Sequence, residues 1–115
     1  MLENINVIKR HQEALPGNAP LECKICPRLV AFRNDNIEKY PDFFNGPVPA
    51  FGTQDAKLLI VGLAPGLKGA NRTGRPFTGD YAGDLLYPTL IKFGFAKGKY
   101  GSTINDDLTM HKAII

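Results

Sequence analysis

The segment that most restricts this chain is Lys57-Leu58-Leu59-Ile60-Val61-Gly62. Four consecutive apolar residues closed by a glycine leave no alternation between a wet face and a dry one. That is the pattern of a strand buried on both faces, as strands of parallel sheets are. A parallel partner requires a crossover of about a dozen residues or more, usually helical. The downstream sequence supplies one. Residues 62–80 form a loop rich in Gly, Pro and polar side chains, and Asp80 suits the N-cap of a helix over 81–93 that Gly94 ends. Pro88 lies inside that stretch and predicts a kink or a later start. Residues 97–107 read as a loop, and Ala113-Ile114-Ile115 opens a second strand. The expectation is one βαβ unit at best, with its strands paired in parallel.

Upstream, Leu2, Ile5, Ile8 and Leu15 give a weak helical period over 2–15, which Pro16-Gly17-Asn18 ends. Pro27 suits the first position of a second helix, where its missing N–H costs nothing. Leu29, Val30 and Phe32 give that helix an apolar side and Arg33 a basic one, up to Tyr40-Pro41. Residues 41–56 carry three prolines and two glycines and read as a loop, with Phe43, Phe44, Val48 and Phe51 folded over something apolar. The 115 residues fit one domain, 1–115. No apolar run approaches the ~18–20 residues of a membrane span. The N-terminus has no secretory pattern. The expectation is a soluble cytoplasmic protein.

The loop at 62–80 lies where α/β proteins bind ligands, at the carboxyl end of a strand, with backbone N–H groups available to an anion. It contains neither a Walker A pattern nor a dinucleotide fingerprint. Lys68, Arg72 and Arg75 add positive charge, Phe77 a ring, and Asp80 the loop's one acid. Between 60 and 100 six bases stand against two acids, which fits contact with phosphates and equally fits a solvated basic face. Composition leaves a structural turn with a helix cap open beside a ligand site.

The two cysteines, Cys23 and Cys26, are too few for a disulfide framework, and their C-x-x-C spacing reads as redox or metal chemistry. A thioredoxin-like site normally follows a strand, and none is expected before Cys23. His11 and His111 read as ordinary surface or packing residues.

GLAPG followed by GANRTGRPFTGD, at 62–80, resembles the first active-site motif of the family 5 (type-5, iron–sulfur) uracil-DNA glycosylases. Cys23-x-x-Cys26-Pro-Arg-Leu-Val, Gly46-Pro-Val-Pro-Ala-Phe-Gly52, Leu86-Tyr87-Pro88 and Asp106-Asp107 are similar to that family too, so the resemblance runs over 23–115. It implies an α/β fold, part of a three-layer uracil-DNA glycosylase-like fold with a central parallel sheet. It also implies hydrolysis of the N-glycosidic bond of uracil, and of other deaminated bases such as hypoxanthine, in DNA with the base flipped out.

On that reading Phe77 stacks on the base, and Gly62, Leu63, Ala64, Pro65 and Gly66 face it, with backbone N–H groups stabilising the departing base anion. Asn71 contacts the base or braces the loop, and Arg72 and Arg75 meet DNA phosphates or pair with neighbours. Leu63, Ala64 and Pro65 stand where many relatives carry a water-activating polar residue, an absence that family 5 shares. Asp80 is then the candidate catalytic carboxylate, positioning water and supporting the oxocarbenium-like sugar, with a helix N-cap as its other reading.

Cys23 and Cys26 would be two of the four thiolate ligands of a [4Fe–4S] cluster. The family's second cysteine pair and its His-containing second motif are not in these residues, so the resemblance predicts a truncated N-terminal portion. A base-binding module without catalysis and a small redox or metal protein on Cys23 and Cys26 are the competing readings.

Overall fold

The computed structural model describes residues 15 and 17–115. The helix expected over 2–15 falls outside the described residues, Leu15 excepted. In chain order the elements are α1 (Pro27–Lys39), β1 (Leu58–Leu59), α2 (Ala70–Thr73), α3 (Tyr81–Lys92), β2 (Ala96–Lys97), β3 (Thr109–Met110) and β4 (Ala113–Ile114).

The parallel pair is present. β1 and β4 run parallel in the register Leu58↔Ala113 and Leu59↔Ile114. Their bonding reaches past the strand limits, because Lys57 N donates to Lys112 O and Ile60 N to Ile114 O. The far edge of β4 is closed by residues 51–53. Phe51 and Ile115 exchange backbone hydrogen bonds of 3.1 and 2.9 Å, and Thr53 N donates to Ala113 O. Gly52 makes this possible, since a Cβ there would lie 2.3 Å from Ala113 O.

α3 is the crossover helix. It starts at Tyr81, as Asp80 predicts, and runs unbroken through Pro88. Its buried face is Gly83, Tyr87 and Leu90. Tyr87 and Leu90 join Phe51, Ala96, Leu108, Met110 and Ala113 in the core. Leu58 and Ile60 point into the same core. Their neighbours Leu59 and Val61 stay 68% and 82% exposed. One face of β1 is therefore covered by the described residues and the other is bare.

Two elements differ from expectation. The loop expected over 97–107 is flanked by a second small sheet, in which β2 pairs antiparallel with β3, Ala96 opposite Met110 and Lys97 opposite Thr109. The glycine-rich loop contains the single helical turn α2, which Gly74 ends in the left-handed conformation. Asp80 occupies the N-cap position of α3, but its side chain makes no capping hydrogen bond.

α1 begins at Pro27, as its sequence predicts, and Asn36 is its buried residue. Leu29, Phe32 and Ile37 on it are 40%, 54% and 51% exposed. Its apolar side is thus uncovered by the described residues. In the segment 41–56, Phe43 stacks on Tyr40 at 4.8 Å, and Phe51 enters the core.

Candidate active site

The loop leaving β1 and the start of α3 enclose a cavity of about 360 Å³. It is lined by Gly62, Leu63, Ala64 and Pro65 on one side, Pro76, Phe77 and Asp80 on another, and Val48, Pro49 and Ala50 at the rim. That volume is near the lower end of small-ligand sites, which run from ~300 to 1,000 Å³. Asp80 is the one ionisable side chain among the lining residues. Among the described residues, the N–H groups of Leu63, Ala64 and Gly66 donate to no backbone carbonyl.

The ring of Phe77 lies beside the strand end. A Cβ on Gly62 would be 3.2 Å from its Cζ, so glycine is what lets ring and backbone meet. Phe77 itself has φ +50, a left-handed conformation uncommon for a bulky residue. The carboxylate of Asp80 reaches back across the loop. Cβ atoms built on Gly69 and Gly66 would stand 1.6 and 3.0 Å from its Oδ1. The loop's glycines thus make room for a ring at one end and a carboxylate at the other.

Asn71, expected to contact the base or brace the loop, is bonded within the loop and to the segment before it. It is buried, its Nδ2 donates to Asn45 Oδ1 at 3.0 Å and to Leu67 O at 3.3 Å, and it lies outside the cavity lining. Asn45, at φ +54, in turn donates to Tyr40 O at 2.7 Å. This chain of bonds ties the end of α1 to the start of α2.

Arg75, expected to meet phosphate or to pair with neighbours, is 3% exposed, and three of its five N–H groups are paired within the protein. Nη1 and Nη2 donate to the two carboxylate oxygens of Asp106 at 2.7 and 2.8 Å, and Nε donates to Thr78 Oγ1 at 2.7 Å. The rings of Phe51, Tyr87 and Tyr100 surround it at 5.1, 5.4 and 5.9 Å. A cation so enclosed and paired braces the fold around the loop. Arg72 is exposed, its Nε donating to Lys68 O at 2.6 Å.

Burial by itself would raise the pKa of Asp106; hydrogen bonds from Arg75 and from the Gly101 and Leu108 amides outweigh that and hold it below 3.8. The Tyr87 hydroxyl is pushed up to about 12, mainly by burial, and donates to Pro76 O at 2.5 Å.

Sequence reasoning missed Asp106, Tyr87 and Tyr100 as supports of this site. Tyr87 and Asp106 stood in motifs that resembled the family, but nothing local pointed to their partners.

Cys26 is exposed at the N-cap position of α1, and Cys23 is half-buried just before it. Arg33 Nη2 donates to Cys23 O at 2.5 Å, fastening the pair to its helix. Free thiols at this spacing match half of a four-thiolate cluster site in donor type. Among the described residues no group of three or more His, Cys, Asp or Glu is placed to hold a metal. The donor set fits in kind and falls two short in number.

A sheet strand feeding a glycine loop that holds an aromatic ring and a carboxylate over one cavity defines a class, and comparison with known proteins names it. The chain belongs to the uracil-DNA glycosylase superfamily, whose family model matches residues 49–105. Its relatives are type-5 uracil-DNA glycosylases. That of Thermus thermophilus is 46% identical over 94 residues, covering 77% of this chain and 42% of that protein. That of Mycobacterium leprae is 47% identical over 78 residues, 63% of this chain and 34% of that protein. That of Pyrobaculum aerophilum is 37% identical over 93 residues, 77% of this chain and 41% of that protein. The chain thus spans less than half the length of the curated relatives it matches. No helix among the described residues is long and apolar enough to cross a membrane.

Proposed function

We propose that this chain carries the base-binding half of a DNA repair glycosylase, which hydrolyses the N-glycosidic bond of uracil, and of other deaminated bases, in cellular DNA. The observation that carries the reading is the cavity beside Gly62. It has an aromatic ring, backbone donors and a single ionisable group, Asp80, around it. A flipped base would stack on Phe77, and base–aromatic stacking is worth ~1–3 kcal/mol. The N–H groups of Leu63, Ala64 and Gly66 would meet the oxygens on which charge gathers as the bond to the sugar breaks. Asp80 would hold the attacking water and accept its proton as the new C–O bond forms, and its charge would favour the oxocarbenium-like sugar.

Cys23 and Cys26 would supply two thiolates to a [4Fe–4S] cluster, whose contribution when bound is to fasten the start of α1 to the segment bearing the other ligands. The bare side of β1, with Leu59 and Val61, would receive the further helical layer of a three-layer fold. Arg72, exposed beside the loop, remains the candidate phosphate contact.

The test is uracil release from an oligonucleotide with one uracil. Asp80→Asn should lower release by ~10²–10⁴-fold, the usual scale for losing a general base, with substrate affinity kept. Phe77→Ala should weaken uracil-dependent binding instead. Full activity of Asp80→Asn would remove the catalytic assignment. Uracil-dependent binding by the parent chain without any release would favour a base-binding module. Iron and sulfide analysis of anaerobically purified protein tests the cluster.

A further inference from the structure

The geometry points to Tyr100 as a positioning residue for base recognition, its hydroxyl holding Phe77 in the left-handed conformation that turns the ring against Gly62. The inference rests on the reading of the cavity as a base pocket and adds a residue that lies outside the cavity lining.

Phe77 is a bulky residue at φ +50, and such a residue stays there only when its surroundings fix it. Two hydroxyls fix the peptide units on either side. Tyr100 Oη donates to Phe77 O at 3.2 Å and accepts from Gly79 N at 3.2 Å, so one phenol spans the turn after the ring. Tyr87 Oη donates to Pro76 O, the carbonyl just before the ring. The two phenol rings lie 4.8 Å apart, so they act as one unit.

The third wall is Gly83. A Cβ there would lie 1.8 Å from Phe77 O and 2.6 Å from Tyr100 Oη. The first turn of α3 therefore presses directly on the carbonyl that Tyr100 holds. Tyr100 follows β2 and is carried on a different part of the chain from the loop it grips. Its ring packs against the core, and its half-buried hydroxyl is used entirely at this turn. Packing alone does not need that oxygen.

Tyr100→Phe keeps the ring and removes only the hydroxyl. Two readouts follow, each against the parent chain and well below the unfolding temperature. The first is the contact between the Phe77 ring and the Gly62 α-protons, read by nuclear Overhauser effects on Phe-labelled protein. The second is the ratio of affinities for matched single-stranded oligonucleotides with uracil or thymine at one position.

The expected result is loss or marked weakening of the Phe77–Gly62 contact. The discrimination ratio should fall about tenfold, the scale of the hydrogen bonding that the hydroxyl supplies at the turn. Adding Phe77→Ala to Tyr100→Phe should lower the ratio no further than Phe77→Ala alone. A merely structural role would lower the melting temperature and leave contact and ratio as they were, and that result overturns the inference. If the parent chain does not discriminate uracil from thymine, the base-pocket reading fails. The ring contact then still decides the role of Tyr100.

Discussion

Single residues in this chain are held by partners far away in sequence, and the Arg75–Asp106 pair shows the consequence. Both side chains are nearly sealed from water, at 4% and 6% exposure. Breaking such a pair leaves a buried charge without its counter-ion, which costs about 3–5 kcal/mol. Asp106→Asn should therefore destabilise the chain by that order in urea unfolding at neutral pH.

The pair also fixes an acid limb. The folded pKa of Asp106 lies below its ordinary 3.8, so the unfolded state binds the proton first. The pair's stabilisation is thus fully present above pH 3.8 and is lost as pH falls through the folded value. The stability gap between parent and Asp106→Asn should close within that acid window, and a gap independent of pH would refute the assignment. None of this was legible locally. Arg75 reads as a basic loop residue until Asp106, thirty-one positions on, is brought to it. For Asn71 bracing was one of the two expected roles, but its partner Asn45, twenty-six positions away, was not legible.

At the scale of elements, what was legible is what has a pattern of its own. The apolar run at 58–61 and the tail at 113–115 read as parallel strands, and β1 and β4 pair accordingly. Pro27 and Asp80 mark the starts of α1 and α3. The two-residue strands β2 and β3 have no period to read; each is defined by the other. The single turn α2 is polar and glycine-flanked, so it reads as loop. Yet α2 starts where the loop's geometry is set.

Gly69 is its N-cap, at φ −103 and ψ −109. A Cβ there would overlap the Asp80 carboxyl, with 2.0 Å to its Cγ. A side-chain end can rotate away, so Gly69→Ala should unfold no part of the chain and should displace Asp80. Uracil release should drop by as much as in Asp80→Asn, and the double variant should drop no further. Additive losses would mean that Gly69 acts other than through Asp80. Gly83→Ala is the contrasting case, because the clash is with the backbone oxygen of Phe77 and the cost falls on stability.

For the molecule as a whole, the sequence and the structure disagree about one face, and the disagreement is informative. The run Leu58-Leu59-Ile60-Val61 is written for burial on both sides, but Leu58 and Ile60 meet the core while Leu59 and Val61 face outward. Alternate residues of an extended segment share a face, so Leu59 and Val61 form one apolar stripe, with Leu63 exposed at the bend beyond it. The arrangement implies that the fold of the described residues is held by the Leu58–Ile60 side alone.

Leu59→Lys with Val61→Lys should then change unfolding free energy by no more than about 0.5 kcal/mol, the usual range for exposed positions. Binding of an apolar dye to the folded chain should fall at the same time, because the stripe is what such a dye would find. Ile60→Lys, one residue between them, buries an unpaired ammonium against the core and should cost more than about 3 kcal/mol. Urea unfolding of the three chains separates these outcomes. If the double variant loses as much stability as Ile60→Lys, the stripe is covered in solution. The second layer would then already be in place on this chain rather than awaited from elsewhere.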